Sequence, residues 1–257
     1  MKVSGAMPVH NDSLMLRYSL PALANVGLDE LVFLLDRCTD ESEQIIKFWK
    51  ESFNPPFQVR IVKKDKQSWK SPVSEAFQAA FESCKGNVIY SLAADCIYDP
   101  IIFNFEPEYD AICYNYVDRD LNTNPMRQNY EVFLQKLRKF KRIGDVFAIK
   151  KHVWKELGGF KDHAEADVWH PHGIMLFEML KNQGFKYAVR DSKTIHLRCP
   201  INAKTQISQG RVRAKMQTPF WKVILHSIIH VKPYVLVGYI HEINSINYKA
   251  HTGEQHV

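Results

Sequence analysis

Along the first 200 residues, short apolar runs take turns with segments whose apolar positions recur every three or four residues. Val3 to Val9 is a strand candidate that runs into Pro8-Val9-His10-Asn11-Asp12, a loop sequence. Leu14 to Val26 has helical content interrupted by Pro21, which lacks a backbone donor. Glu30-Leu-Val-Phe-Leu-Leu-Asp36 is a continuous apolar run closing on an acid, and a run with no polar face predicts a strand buried on both sides. Residues 40–51 read as a helix, and Phe57 to Lys64 alternates as a strand. The clearest helix covers 72–85, with Ser71 as N-cap, Pro72 in first position and Gly86 after its end. Its Val73, Ala76, Phe77, Ala80, Phe81 and Cys84 share one face. Asn87 to Asp95 is a second buried-strand pattern ending in an acid. Tyr109–Val117 and Asp145–Lys150 follow as strands, His170–Gln183 as a helix stopped by Gly184, and Lys186–Val189 and Thr194–Leu197 as two closing strands.

Alternating strands and helices of this length predict an α/β domain, a mostly parallel central sheet flanked by helices in the Rossmann-like manner. Ligands of such sheets bind beyond the carboxyl ends of the strands, where Asp36 and Asp95 would both sit. The chain has 257 residues, 46% apolar and 24% charged, a balance that excludes a disordered tail, a fibre or a polytopic membrane protein. We divide it into a domain over 1–200 and a basic, amphipathic helical extension over 201–257. Of the net +6, the extension carries seven Lys/Arg against Glu242 and Glu254, which leaves the domain nearly neutral. Five scattered cysteines without Cys-x-x-Cys fit a reduced compartment. The N-terminal MKVSGAMPVHND lacks the apolar core of a signal peptide, so a cytoplasmic chain is expected.

Several residues have the chemistry for a site, each with a plainer alternative. Asp95, just past an apolar strand, is placed to hold a divalent cation that bridges phosphate oxygens, or to cap the turn before Asp99-Pro100. Asp36 would accept hydrogen bonds from a base or ribose, or end its loop while Thr39 or Asp40 caps the next helix. His163-Ala-Glu-Ala-Asp-Val-Trp-His-Pro-His172 gathers three histidines and two acids. Asp167 or Glu165 there would serve as a general base, His163, His170 and His172 with an acid as a metal site, or the whole as a polar loop. His196 ends an apolar strand and reads as a core residue unless Asp95 lies beside it. Neither G-x-G-x-x-G, G-x-x-x-x-G-K-[ST] nor G-x-S-x-G occurs, so any nucleotide would be held by acids and a metal.

Taken in order, these segments resemble the family 2 glycosyltransferases of the GT-A fold. Met7-Pro8-Val9-His10-Asn11-Asp12 is similar to the family's opening strand and loop, and Leu34-Leu-Asp36-Arg-Cys-Thr-Asp40 to the motif that cradles the nucleoside. Gly86 to Pro100 resembles the strand leading to Asp-x-Asp. Gly144 to Phe160 resembles the acceptor-side segment ending in Gly-Gly-Phe, followed by Ala166-Asp167 where the family has an acid pair. The resemblance implies an inverting transfer of a sugar from a UDP- or GDP-type donor to a glycan or lipid-linked acceptor, assisted by Mn²⁺ or Mg²⁺. Pro8, His10, Asp36 and Asp95 would bind the donor nucleotide, Asp95 and His196 the metal, and Asp167 or Glu165 would act as base. Ala93 replaces the first acid of Asp-x-Asp, and Ala166 the first of the later pair. These departures keep open a degenerate domain that binds nucleotide sugar without catalysis. A nucleotidyltransferase on a related fold would lack its Gly-rich loop here.

In the extension, Lys222, His226 and His230 recur on one helical stripe, with Phe220, Val223, Ile224, Ser227, Ile228 and Val231 beside it, and Pro233 argues against a spanning helix. The pattern fits either an amphipathic helix at the inner membrane face, with Trp221, Tyr234 and Tyr239 at the interface, or a helix packed on protein. The basic run Lys136 to Arg142 comes with no nucleic-acid motif, and no nucleic-acid partner is expected.

Overall fold

The computed structural model describes residues 1–119, 133, 144–162, 172–197, 203–215, 217–229 and 232–252. They divide into two compact units, one ending with residue 197 and one beginning at 203. The strands of the first unit are β1 (Val3–Val9), β2 (Glu30–Asp36), β3 (Gln58–Lys64), β4 (Val88–Ser91), β5 (Cys96–Ile97), β6 (Ala111–Asp118), β7 (Phe147–Lys150) and β8 (Tyr187–His196). They form one sheet in the order β3-β2-β1-β4-β7-β6-β8-β5. The first four are mutually parallel, β7 runs antiparallel to both its neighbours, β8 is parallel to β6, and β5 is antiparallel to β8.

The unbroken apolar run of β2 has its reason in two cores. Leu31, Phe33 and Leu35 face one core with Met7, Tyr90 and the helices α1 (Ser13–Ser19) and α2 (Ser42–Phe53). Val32 and Leu34 face the other, with Ala6, Ile89 and α3 (Pro72–Ser83), α4 (Lys151–Glu156) and α5 (His172–Asn182). A period-two strand covered on both sides has no place for an unpaired polar residue, and the acids at its two ends, Glu30 and Asp36, are buried with Arg60 and Arg37 as their ion-pair partners. Pro8 is tolerated inside β1 for a related reason. The Ala6 carbonyl accepts from Leu92 N at 2.9 Å, so the missing N–H of Pro8, two residues on, points to the side where β4 has already ended.

Three details differ from the sequence pattern. The strand read as Asn87–Asp95 stops at Ser91, and the residues leading to Asp95 turn out of the sheet. Gly86 is no left-handed helix cap: α3 ends at Ser83, and a Cβ on Gly86 would lie 2.6 Å from Ser4 Oγ, whose hydroxyl accepts from Gly86 N at 2.8 Å. The two closing strands are one, β8, which bulges at Asp191–Lys193 opposite the single residue Asn115 of β6 and resumes pairing at Tyr116 with Thr194. Ser192 Oγ donates to the Asn115 carbonyl at 2.5 Å within that bulge.

The second unit holds α6 (Ala203–Lys215), α7 (Phe220–Ile229) and α8 (Pro233–Thr252), the last opening on a proline in first helical position. Ala214, Val223, Val235 and Tyr239 make its small core. Tyr239 is therefore buried, its hydroxyl donating to the Thr218 carbonyl at 2.7 Å, and is not the interfacial aromatic that the sequence pattern predicts. No helix among the described residues is long and apolar enough to cross a membrane.

Candidate functional site

The carboxyl ends of β1 and β2 are tied together by short polar side chains. Asn11, in the left-handed region with φ 51°, uses its Oδ1 to accept from Thr39 N at 2.7 Å. Asp40 accepts from Ser42 N at 3.0 Å through Oδ1, covering the start of α2, and from Ser13 N at 2.9 Å through Oδ2 at the start of α1. Partial burial pushes the Asp40 carboxyl up, but the hydrogen bonds from Ser42 and Ser13 outweigh it and bring the group down to about 2. A depressed carboxylate stabilises the fold fully above its ordinary value and loses that contribution as pH falls through the folded one. Thermal melting temperature is therefore expected to drop between about pH 4 and pH 2, and Asp40→Asn to make that part of the profile shallower.

At the end of β2, Asp36 is 3% exposed and meets two cations. Arg37, itself left-handed at φ 50°, donates through Nε to Oδ1 at 3.0 Å and through Nη2 to Oδ2 at 2.7 Å. Lys64, brought opposite by the β2–β3 register, donates to Oδ1 at 3.4 Å and also pairs with Glu75 at 3.2 Å. Burial pushes the Asp36 carboxyl up, and these partners more than reverse it, so the group stays ionised. His10 closes the arrangement from β1, with Nδ1 2.6 Å from the Asp36 carbonyl. The structure thus joins His10 to Asp36 and adds Arg37 and Lys64, which the sequence reading did not single out. Their signal was a basic residue next to the acid and another ending the neighbouring strand.

Asp95 lies beyond the end of β4, the strand beside β1, on the same edge of the sheet. Its position is fixed from both sides. The buried Tyr98 hydroxyl donates to the Ala93 carbonyl at 3.0 Å and accepts from Ala93 N, clasping the turn. The Asp95 carbonyl accepts from Leu197 N at 2.7 Å, where β5 pairs Cys96 with His196. That pairing sets His196 Nε2 3.4 Å from Asp95 Oδ2, with both side chains partly open to solvent. The Tyr116 ring packs against the imidazole at a steep angle, 5.5 Å between centroids. The condition set for His196 in the sequence, that Asp95 be its neighbour, is met in space. Asp99 is occupied differently: it accepts from Ile101 N at 3.2 Å and Lys193 N at 2.8 Å, holding the following turn to β8.

A carboxylate oxygen beside an imidazole nitrogen is a donor pair that Mn²⁺ accepts, whereas the harder Mg²⁺ would use the carboxylate oxygen alone. Two adjacent ligands of an octahedral ion at about 2.1 Å stand about 3 Å apart, close to the separation seen here. Among the described residues no group of three His, Cys, Asp or Glu gathers at one point.

Asp167, Glu165, Ala166, His163 and His170, together with the basic run 136–142, lie outside the described residues. The segment leading to them is well anchored. Gly158 and Gly159 take φ of 77° and 70°, ending α4 and returning Phe160 to the core against Phe81 at 4.9 Å between ring centroids. Asp162 then accepts from Ser71 N at 2.9 Å and Lys70 N at 3.0 Å, at the start of α3. Because α3 follows the carboxyl end of β3, Asp162 is held at the same edge as Asp36 and Asp95.

The model of the family described as Glycosyl transferase family 2 matches residues 4–187. The chain belongs to that family. No curated protein matches it in sequence. Among solved structures, mannosyltransferase PcManGT from Pyrobaculum calidifontis, in complex with GDP-Man and Mn²⁺, superposes with a TM-score of 0.61 at 13% identity, covering 99% of this chain and 76% of that one. Glucosyl-3-phosphoglycerate synthase from Mycobacterium tuberculosis, bound to Mn²⁺, UDP and phosphoglyceric acid, gives 0.56 at 14% identity over 84% and 78%. S. aureus TarS 1–349 gives 0.57 at 11% identity over 84% of this chain and 65% of that one, and the chain spans only 40% of the longer TarS structure. At these identities the likeness concerns the fold, which is GT-A. Ala93, two positions before Asp95, is half-buried against the core.

Proposed function

We propose that the chain is an inverting, metal-assisted glycosyltransferase that moves a sugar from a UDP- or GDP-type donor to an acceptor hydroxyl. The observation that carries the reading is the Asp95–His196 pair, 3.4 Å apart at the carboxyl edge of a family 2 sheet. The Mn²⁺ with GDP-Man in the mannosyltransferase and the Mn²⁺ with UDP in the synthase support it. Asp95 and His196 would hold a divalent cation, which when bound neutralises the departing diphosphate. Pro8, His10 and Asp36 would border the nucleoside, with Arg37 setting the shape of Asp36 toward it. Asp167, or Glu165 two positions earlier, would take the proton of the acceptor hydroxyl. That oxygen bonds to the anomeric carbon as the bond from carbon to diphosphate oxygen breaks on the opposite face, which inverts the centre. The acceptor is a glycan or a lipid-linked hydroxyl, and we assign any association with the inner membrane face to the C-terminal unit.

The test is nucleoside diphosphate release across UDP- and GDP-sugars, with Mn²⁺ and with chelator. Release that requires the metal and one class of donor is the expected result. Of Asp167→Asn and Glu165→Gln, the substitution at the base should cost about a hundred-fold in turnover while the other stays near wild type. Ala93 favours a second reading, a domain that binds nucleotide sugar without turnover. Donor binding by calorimetry with no release from any donor would establish that reading and remove ours.

A further inference from the structure

Helices α7 and α8 each carry an outward apolar stripe. On α7, Trp221, Leu225 and Ile228 follow at i, i+4, i+7, with 62%, 49% and 69% of their surface exposed, while Val223 and Ser227 face inward. On α8, Tyr234, Val237 and Ile240 are exposed at i, i+3, i+6. The outward stripe of α7 is not the one marked by Val223 and Ser227 in the sequence pattern, because this helix is apolar on more than one side. No acid belongs to α7, and Glu242 of α8 is turned to Lys215 at 3.6 Å. Lys222 flanks the stripe, its Nζ 5.4 Å from the centre of a Trp221 ring, in a segment whose net charge over 201–257 is +5.

We infer that these two stripes form a docking surface for an anionic phospholipid bilayer, on which the C-terminal unit lies without spanning it. Charge decides between this occupant and a second copy of the chain. Joining two such units would bring like charges together around the apolar contact, which is unfavourable. An anionic bilayer takes Trp221, Leu225 and Ile228 into the boundary below its headgroups and meets Lys222, and the net positive charge of the segment, with phosphate. Trp221 and Tyr234, apolar with one polar atom each, suit that boundary. None of these residues is among those proposed for the donor site, so the inference stands or falls separately from the proposed transfer.

The experiment is co-sedimentation of the full chain with phosphatidylcholine vesicles and with phosphatidylcholine–phosphatidylglycerol vesicles. Binding to the anionic vesicles alone is expected, weakened by salt. Lys222→Ala should lower the partition coefficient about five-fold, and Trp221→Glu should abolish binding with an unchanged circular dichroism spectrum. Equal sedimentation with both vesicles, or with neither, overturns the inference. So does a concentration-dependent dimer in sedimentation velocity that Trp221→Glu dissolves, which would assign the face to a second copy.

Discussion

Asp95→Ala is expected to lower sugar transfer about a thousand-fold with little effect on stability. Removing one preorganised group that faces developing charge typically costs 10²–10³ in turnover, and the upper end, about 10³, is expected here because Ala93 stands where the resemblance implies a second acid beside Asp95. The fold should survive, since Asp95 is held through its backbone: its carbonyl accepts from Leu197 N, and the turn before it is clasped by Tyr98 on Ala93. His196→Ala should cost less, because an imidazole removed from a bound cation is replaced by water more readily than a charge is. Once Asp95 is gone the His196 substitution should cost almost nothing further, as expected of two groups that hold the same ion. The measurement is nucleoside diphosphate release over a Mn²⁺ titration for wild type, both single variants and the double variant. Full additivity would separate the two residues, and wild-type turnover in Asp95→Ala would sink the metal assignment altogether.

The two halves of the proposed site differ in how far the sequence alone reveals them. Asp36 and Asp95 stood out in the sequence because each ends an apolar run; Asp36 closes its strand, whereas the chain before Asp95 leaves the sheet four residues earlier, at Ser91. What surrounds them was not readable from neighbours along the chain. Lys64 reaches Asp36 only through the β2–β3 register, and His196 reaches Asp95 across some 100 positions of sequence through β5, a two-residue strand too short to have a pattern. The Tyr98 clasp has the same character: an apolar-looking residue whose hydroxyl decides the shape of a turn five positions earlier. Strands with a covered face announce themselves by composition. Pairings that depend on register, bulges or single hydroxyls do not.

The second unit supplies the other large effect. Gly210→Ala or Gly238→Ala should unfold the α6–α8 pair, destabilising it by about 3 kcal/mol or more. Helix propensity alone predicts the opposite, a gain of about 1 kcal/mol for each glycine replaced within a helix. Geometry overrides it. A Cβ on Gly210 would lie 2.0 Å from the Val235 carbonyl oxygen, and one on Gly238 would lie 2.0 Å from that of Ile207. Both obstacles are backbone, so no side-chain rotamer relieves them, and the helices must move apart and open the core of Ala214, Val235 and Tyr239. Such small cores have little burial to lose before they unfold. Far-ultraviolet circular dichroism on heating, with limited proteolysis to report on the C-terminal unit, gives the readout. The double variant should be less than twice as costly as either single one, since the first substitution already separates the helices and makes room for the second. A rise in melting temperature in either single variant would mean that the two helices are not in backbone contact, and that propensity governs this unit after all.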